Sequence, residues 1–131
     1  MAQREYLQGD ARQRERAYSP AVKTTGGTTL YMAGQTGYQD ECGETYPADF
    51  DGQVRVAFER MRKTLERAGG KLEDIVTMTV FITDMANGTR FTQLRKEFFP
   101  ADRYPASALI GIKELARPEM MIEIQAIAVV N

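Results

Sequence analysis

The stretch from Met120 to Val130 reads Met-Met-Ile-Glu-Ile-Gln-Ala-Ile-Ala-Val-Val, and its alternation constrains the fold more than any other feature of the chain. Successive side chains of a strand point to opposite faces. Met120, Ile122, Ile124, Ala126, Ala128 and Val130 therefore share one face, and Met121, Glu123, Gln125, Ile127 and Val129 share the other. Ile75 to Thr83 has the same character, with Val76, Met78, Val80 and Ile82 opposed to Ile75, Thr77, Thr79 and Phe81. A third run, Ala106 to Ile112, sets Ala106, Ala108, Ile110 and Ile112 against Ser107, Leu109 and Gly111. This reading gives a sheet with one apolar face and one mixed face, and it puts Ser107 on the mixed face beside Glu123.

Val54, Ala57, Phe58, Met61, Leu65 and Ala68 recur at three- and four-residue spacing, with charged residues between them, which predicts an amphipathic helix. Asp49 or Asp51 can cap its free first-turn amides, and Gly69-Gly70 ends it. Phe91, Leu94 and Phe98 share one face of a second helix that Pro100 stops. Two β-prone runs, from Tyr18 and from Thr28, flank Gly26-Gly27 and read as a hairpin. The predicted order is β-β-α-β-α-β-β, an α+β fold with two helices on one face of a mixed sheet. Two helices cover only one face. Phe81, Ile127 and Val129 make the other too apolar to leave in water. A second copy of the chain is the expected cover, and the amino-terminal arm folding over it is the alternative.

The length of 131 residues suits one domain, read as residues 17–131 after a polar arm at 1–16. The arm mixes Arg4, Arg12, Arg14 and Arg16 with Glu5, Asp10 and Glu15, so it reads as solvated and not as a secretory signal. No apolar run approaches the ~20 residues of a membrane span. With 17 Lys and Arg against 18 Asp and Glu, a nucleic-acid or anionic-membrane surface is not expected. The absence of His removes the Ser-His-Asp triad, the Cys-His pair and the His-ligated metal site. One Cys forms neither an intrachain disulfide nor a thiolate cage, which points to a reducing, cytoplasmic compartment.

Few residues remain for chemistry. Glu123 interrupts an apolar strand, where desolvation would raise its pKa and suit it to general acid/base work, or where an ion pair would hold it. Ser107 without His is a poor nucleophile and a better hydrogen-bonding residue. Cys42 lies in Asp40-Glu-Cys-Gly-Glu44, whose acidic side chains oppose a thiolate. Gly34-Gln-Thr-Gly37 lacks the Lys of a phosphate loop and reads as a strand exit. Tyr18 either packs at an edge or closes a pocket.

An ordered set of segments carries a resemblance: Tyr18-Ser-Pro-Ala-Val22, Leu30-Tyr-Met-Ala-Gly-Gln35, Gln53, Leu65-Glu-Arg-Ala-Gly69, Asp74-Ile-Val-Thr-Met-Thr-Val80, Asp84-Met85 and Ile122-Glu-Ile-Gln-Ala-Ile-Ala128. The set is similar to the reactive-intermediate deaminases, the RidA/YjgF family, once labelled L-PSP endoribonucleases. The resemblance implies a chorismate-mutase-like fold and a homotrimer with small-molecule clefts between subunits. It also implies hydrolysis of enamines or imines, with release of ammonia and no cofactor. It gives Glu123 the water-activating role, Tyr18 a place in the pocket and Gly34 the strand exit.

Other positions depart from the family. The arginine that would clamp a substrate carboxylate falls on Ser107, in Tyr104-Pro-Ala-Ser-Ala-Leu109. A cysteine falls on Leu109, a serine on Ala33, a pocket asparagine on Thr92 and an aromatic wall residue near Gly88. A hydroxyl cannot replace a bidentate cation. The expected pocket is therefore less charged and suited to a larger or less charged ligand. Arg103 and Arg90 are expected to be surface residues, with a replacement cation from either, Arg103 first, as the alternative. The expected function is a divergent enamine or imine deaminase, or a related hydrolase. The alternative is a non-catalytic metabolite-binding or protein-interaction trimer. A ribonuclease or translation inhibitor ranks last, for want of His and of excess positive charge.

Overall fold

Asp49 accepts a hydrogen bond from Gly52 N and starts the longest helix, which carries the core. In the computed structural model, which describes residues 1–131, the elements follow in this order. Strand β1 is Gln3–Tyr6, helix α1 Ala11–Glu15, β2 Val22–Thr25, β3 Thr28–Thr36 and α2 Phe50–Arg67. Strand β4 is Ile75–Ile82, α3 Gly88–Arg95, β5 Ala106–Gly111 and β6 Ile122–Val130. The main sheet runs β3-β6-β4-β5, antiparallel except for the β4–β5 pair, which α3 connects. The fold is α+β, with helices on one face of a mixed sheet.

The apolar stripe of α2 buries Val54, Ala57, Phe58, Met61 and Leu65 completely. Each larger side chain contributes about 1.5–3 kcal/mol through burial. Phe58 stacks on Phe98 at 4.5 Å between ring centroids and on Phe91 at 6.2 Å. Ile122, Ile124, Ala126 and Ala128 of β6 meet this layer, as do Met78, Val80 and Ile82 of β4. Gln53 is the one fully buried amide of α2. Its Nε2 donates to the carbonyls of Tyr46 and Glu119, and its Oε1 accepts from Met121 N. Gly37 lets β3 pass beside this helix, because a Cβ there would lie 1.7 Å from the Gln53 carbonyl oxygen.

Four expectations are corrected. The arm is not a free solvated segment, because β1 pairs with β2 and α1 follows under an Asp10–Gln13 capping box. Arg4 anchors it with a 2.6 Å ion pair to Asp74, both side chains only 10% exposed, and a further bond to the Val129 carbonyl. Gly26 and Gly27 do take positive φ, 72° and 76°, but the strands they join do not form a hairpin ladder. β2 pairs with β1, and β3 pairs with β6. The second helix begins at Gly88 and ends at Arg95, and Phe98 and Phe99 pack from the turn beyond it.

The fourth correction concerns β5, whose faces are reversed. Ser107 is in register with Met78 and so points toward the helices, while Ala106, Ala108 and Ile110 match Thr77, Thr79 and Phe81. β5 sets Ala106, Ala108 and Ile110 against Ser107, Leu109 and Gly111, and the side that looks more apolar in the sequence is the one turned away from the helices, because Ser107 meets a buried cation there. The mixed face of the sheet is open over most of its area. The arm reaches Val129, but Tyr31 is 77% exposed and Ile110 41%. No helix is long and apolar enough to cross a membrane.

Candidate functional site

Ala17 is fully buried and holds φ 63°, a left-handed conformation costing about 1–2 kcal/mol in a residue with a Cβ. That turn directs the chain from α1 into the Tyr18-Ser-Pro segment and shapes one wall of a small cavity. The cavity, about 290 Å³, lies among α1, α3 and β5. Tyr18, Met85, Thr92, Ser107 and Leu109 line it together with three arginines, Arg12, Arg16 and Arg95.

Arg95 is the residue the sequence reading missed. It is 1% exposed, and its guanidinium rests 4.9 Å from the centre of the Phe91 ring. Nη1 donates to Ser107 Oγ at 2.7 Å and Nη2 to the Arg16 carbonyl at 3.0 Å. Nε has no partner, and no carboxylate pairs with the group. Burial, followed by the nearby Arg16 charge, pulls its pKa down to about 10. It therefore remains a cation at neutral pH. Burial also raises the phenol of the neighbouring Tyr104. A signal for Arg95 was present: it lies four residues after Phe91, on the face that Phe91 and Leu94 bury.

Thr92 is buried beside Arg95, with its hydroxyl donating to the Thr89 carbonyl at 2.7 Å. Gly88 stands behind the cavity, where a Cβ would touch Leu109 Cδ2 at 3.5 Å. Arg103 and Arg90 are elsewhere. Arg103 pairs with Glu73 at 3.0 Å and stands over the Tyr6 ring, and Arg90 pairs with Asp51 at 2.6 Å. The expectation of a less charged pocket is also corrected. Three arginines and no acidic residue line it, because α1 and α3 supply cations that β5 lacks.

Glu123 sits on the other face of the sheet, in register with Thr36 and Phe81. Its carboxylate lies against Gly34 so closely that a Cβ there would fall 2.7 Å from Oε2. A bulge in β3 at Ala33–Gly34 makes this approach possible. The predicted site residues thus form two groups. Tyr18, Thr92, Ser107 and Leu109 line the arginine cavity, and Ala33 and Gly34 accompany Glu123. Within one chain the sheet separates the two groups, so Ser107 and Glu123 do not share a face.

The largest cavity, about 680 Å³, is a groove along the outer side of α2. Within it Lys63 pairs with Glu41, and its Arg55 pairs with Glu97 outside the groove. Cys42 is exposed there. No cluster of His, Cys, Asp or Glu has the arrangement to hold a metal ion.

The chain matches a family model described as endoribonuclease L-PSP over residues 9–130. A RutC family protein of Pyrococcus horikoshii is 32% identical over 85% of each chain. The RutC family protein YjgH of Escherichia coli is 34% identical over 86% of this chain and 83% of its own. A 2-iminobutanoate/2-iminopropanoate deaminase of Dermatophagoides farinae is 30% identical over 87% and 86%. Among solved structures, a Rid-family protein of unknown function from Yersinia pestis superposes with a TM-score of 0.84 at 26% identity, covering 97% and 98%. RidA from an Antarctic Psychrobacter gives 0.72 at 28%, covering 96% and 99%. With the family model spanning nearly the whole chain and the sheet order in place, the chain belongs to the RidA/YjgF family.

Proposed function

We propose that the chain is a hydrolytic deaminase of imines or enamines that carry a carboxylate, working without a cofactor in a cleft between subunits. The observation that carries this is Arg95. Its guanidinium donates to Ser107, the position where the resemblance expects the carboxylate-clamping arginine, but it arrives from α3 instead of β5. A buried cation without a carboxylate partner favours an anion as its ligand. The Dermatophagoides relative is described as acting on two imines of carboxylic acids, which is the same substrate class.

In this reading the imine carboxylate meets Arg95, Tyr18 closes the cavity, and Thr92 and Leu109 wall it. Glu123 of a second copy, held over Gly34, accepts a proton from water as the oxygen attacks the imine carbon. The carbon–nitrogen double bond becomes a carbinolamine. Collapse expels ammonia, with the proton returned through Glu123, and leaves a keto acid. The imine is already electrophilic, so general-base help of ~10²–10⁴-fold suffices. Glu123 and Arg95 occupy opposite faces of one sheet, so the chemistry requires a homo-oligomer, and the resemblance favours a trimer. A lone chain would bind but not turn over.

The test is imine hydrolysis followed by semicarbazide trapping, with the imine generated in place by an amino-acid oxidase. Glu123→Gln is expected to lower turnover about 10²-fold or more while the assembly persists. Undiminished turnover in that variant would sink the assignment.

A further inference from the structure

The cavity holds more positive charge than one carboxylate needs. Arg12 and Arg16 are four residues apart at α1 and its C-cap, so they project from the same side. The Asp10–Gln13 capping box fixes that helix, and Arg14 turns away to bond the Gly9 carbonyl. Neither Arg12 nor Arg16 has a carboxylate partner, a state they share with Arg14, Arg60, Arg67 and Arg117, but of these six only Arg12 and Arg16 line the cavity that holds Arg95. The two line the same cavity as the 1%-exposed Arg95, whose Nε is unpartnered. Arg12 is exposed and Arg16 half-buried, so water screens part of their repulsion with Arg95, and a multiply charged ligand in the about 290 Å³ between them would relieve the rest.

From this we infer that the site selects a small dianion, with Arg95 taking one anionic group and Arg12 and Arg16 taking the second. Resting on the deaminase reading, the substrate is then the imine of a dicarboxylic amino acid and the product a dicarboxylic keto acid. The cavity is at the small end of ligand pockets, which suits a molecule of that length. Arg12 and Arg16 act as specificity residues at the end distant from the imine. A phosphate monoester offers the same charge, and the experiment separates it.

Binding of 2-oxoglutarate, 2-oxopentanoate and inorganic phosphate is measured by calorimetry at fixed ionic strength, for the wild-type assembly and the Arg12→Gln/Arg16→Gln variant. The wild type is expected to prefer 2-oxoglutarate to the monoanion by about tenfold or more, as one charge-assisted contact provides. The double variant is expected to collapse that ratio. Equal affinity for the two keto acids, or a ratio unchanged in the variant, overturns the inference. Phosphate binding tighter than 2-oxoglutarate overturns the dicarboxylate assignment in favour of a phosphate monoester. Hydrolysis of the glutamate and norvaline imines is followed in parallel. Selective 2-oxoglutarate binding with neither imine hydrolysed refutes the deaminase reading and leaves the dianion site standing. Hydrolysis of both imines at equal kcat/KM does the reverse.

Discussion

Arg95 is stabilised by a ring face, a hydroxyl and a carbonyl, but by no opposite charge. Its folded pKa of about 10 lies below the ordinary arginine value, so the folded protein sheds this proton before the unfolded chain does. The buried charge therefore costs stability at lower pH, and the cost fades as pH rises beyond that value. An anionic ligand works in the opposite sense. Ligand affinity is expected to hold through neutral pH and to fall as pH passes about 10, which a binding titration across that range reads directly. Arg95→Met is expected to change the stability of the free protein by no more than about 1–2 kcal/mol, because the lost bonds are offset by removal of an unpaired buried charge. Urea unfolding measures this, and a much larger loss would make Arg95 a structural residue. Gln53 is the contrasting case. Gln53→Leu removes the side-chain partner of two carbonyls and one amide at part-buried positions, so a loss of about 2–3 kcal/mol is expected in the same assay. Gln53 and Glu123 were visible in the sequence through the resemblance. Arg95 is not, because the apolar members alone define the helical face, and a cation at that spacing carries no mark of burial in the sequence.

At the scale of elements, α2 and β6 were legible because their periods are strong and their caps conventional. Asp49 caps α2, and φ at Gly69 is 79° after its end. The arm was not legible. The four residues Gln-Arg-Glu-Tyr of β1 show no apolar alternation, since it is the stem of Arg4 and the ring of Tyr6 that turn inward. β5 misleads in the converse way, since its more apolar side, Ala106, Ala108 and Ile110, faces away from the helices. Arg4 ties the β1–β2 ribbon to the body through Asp74. Arg4→Leu strands that carboxylate where it is only 10% exposed, and a loss of about 3 kcal/mol is expected. The ribbon leads into α1, so this variant should also weaken binding in the arginine cavity. Hydrogen exchange at the β1 and β2 amides would rise with it, and unchanged exchange there would show that the ribbon is held by other contacts.

For the whole molecule, the open face of the sheet and the separation of Glu123 from Arg95 lead to one expectation. Tyr31, Thr79, Gln125 and Ile127 form the middle of that face, and Tyr31 is its most exposed large side chain. Burial against sister chains is the cover proposed for it. Tyr31→Glu is expected to dissociate the assembly in sedimentation experiments and to abolish turnover with it. Complementation gives a sharper measurement. Glu123→Gln and Arg95→Met are each expected to be inactive as pure assemblies. Mixed by unfolding and refolding together, they should regain part of the activity, because some clefts then join an intact Glu123 from one chain to an intact Arg95 from another. A mixture as inactive as its components would mean that the two residues do not meet between chains.

The position of β6 has a consequence for how the molecule is made. It is the last strand in the chain, yet it lies between β3 and β4 in the middle of the sheet. Until it emerges during synthesis, β3 has no main-sheet partner, and β4 can pair only with β5. Thr28 must wait for Val130 before its pairing is complete. Such long-range closure is slow compared with helix formation. α2 can therefore form early, while the edges of β3 and β4 stay unpaired on the nascent chain. During that interval those edges are open to pairing with other chains.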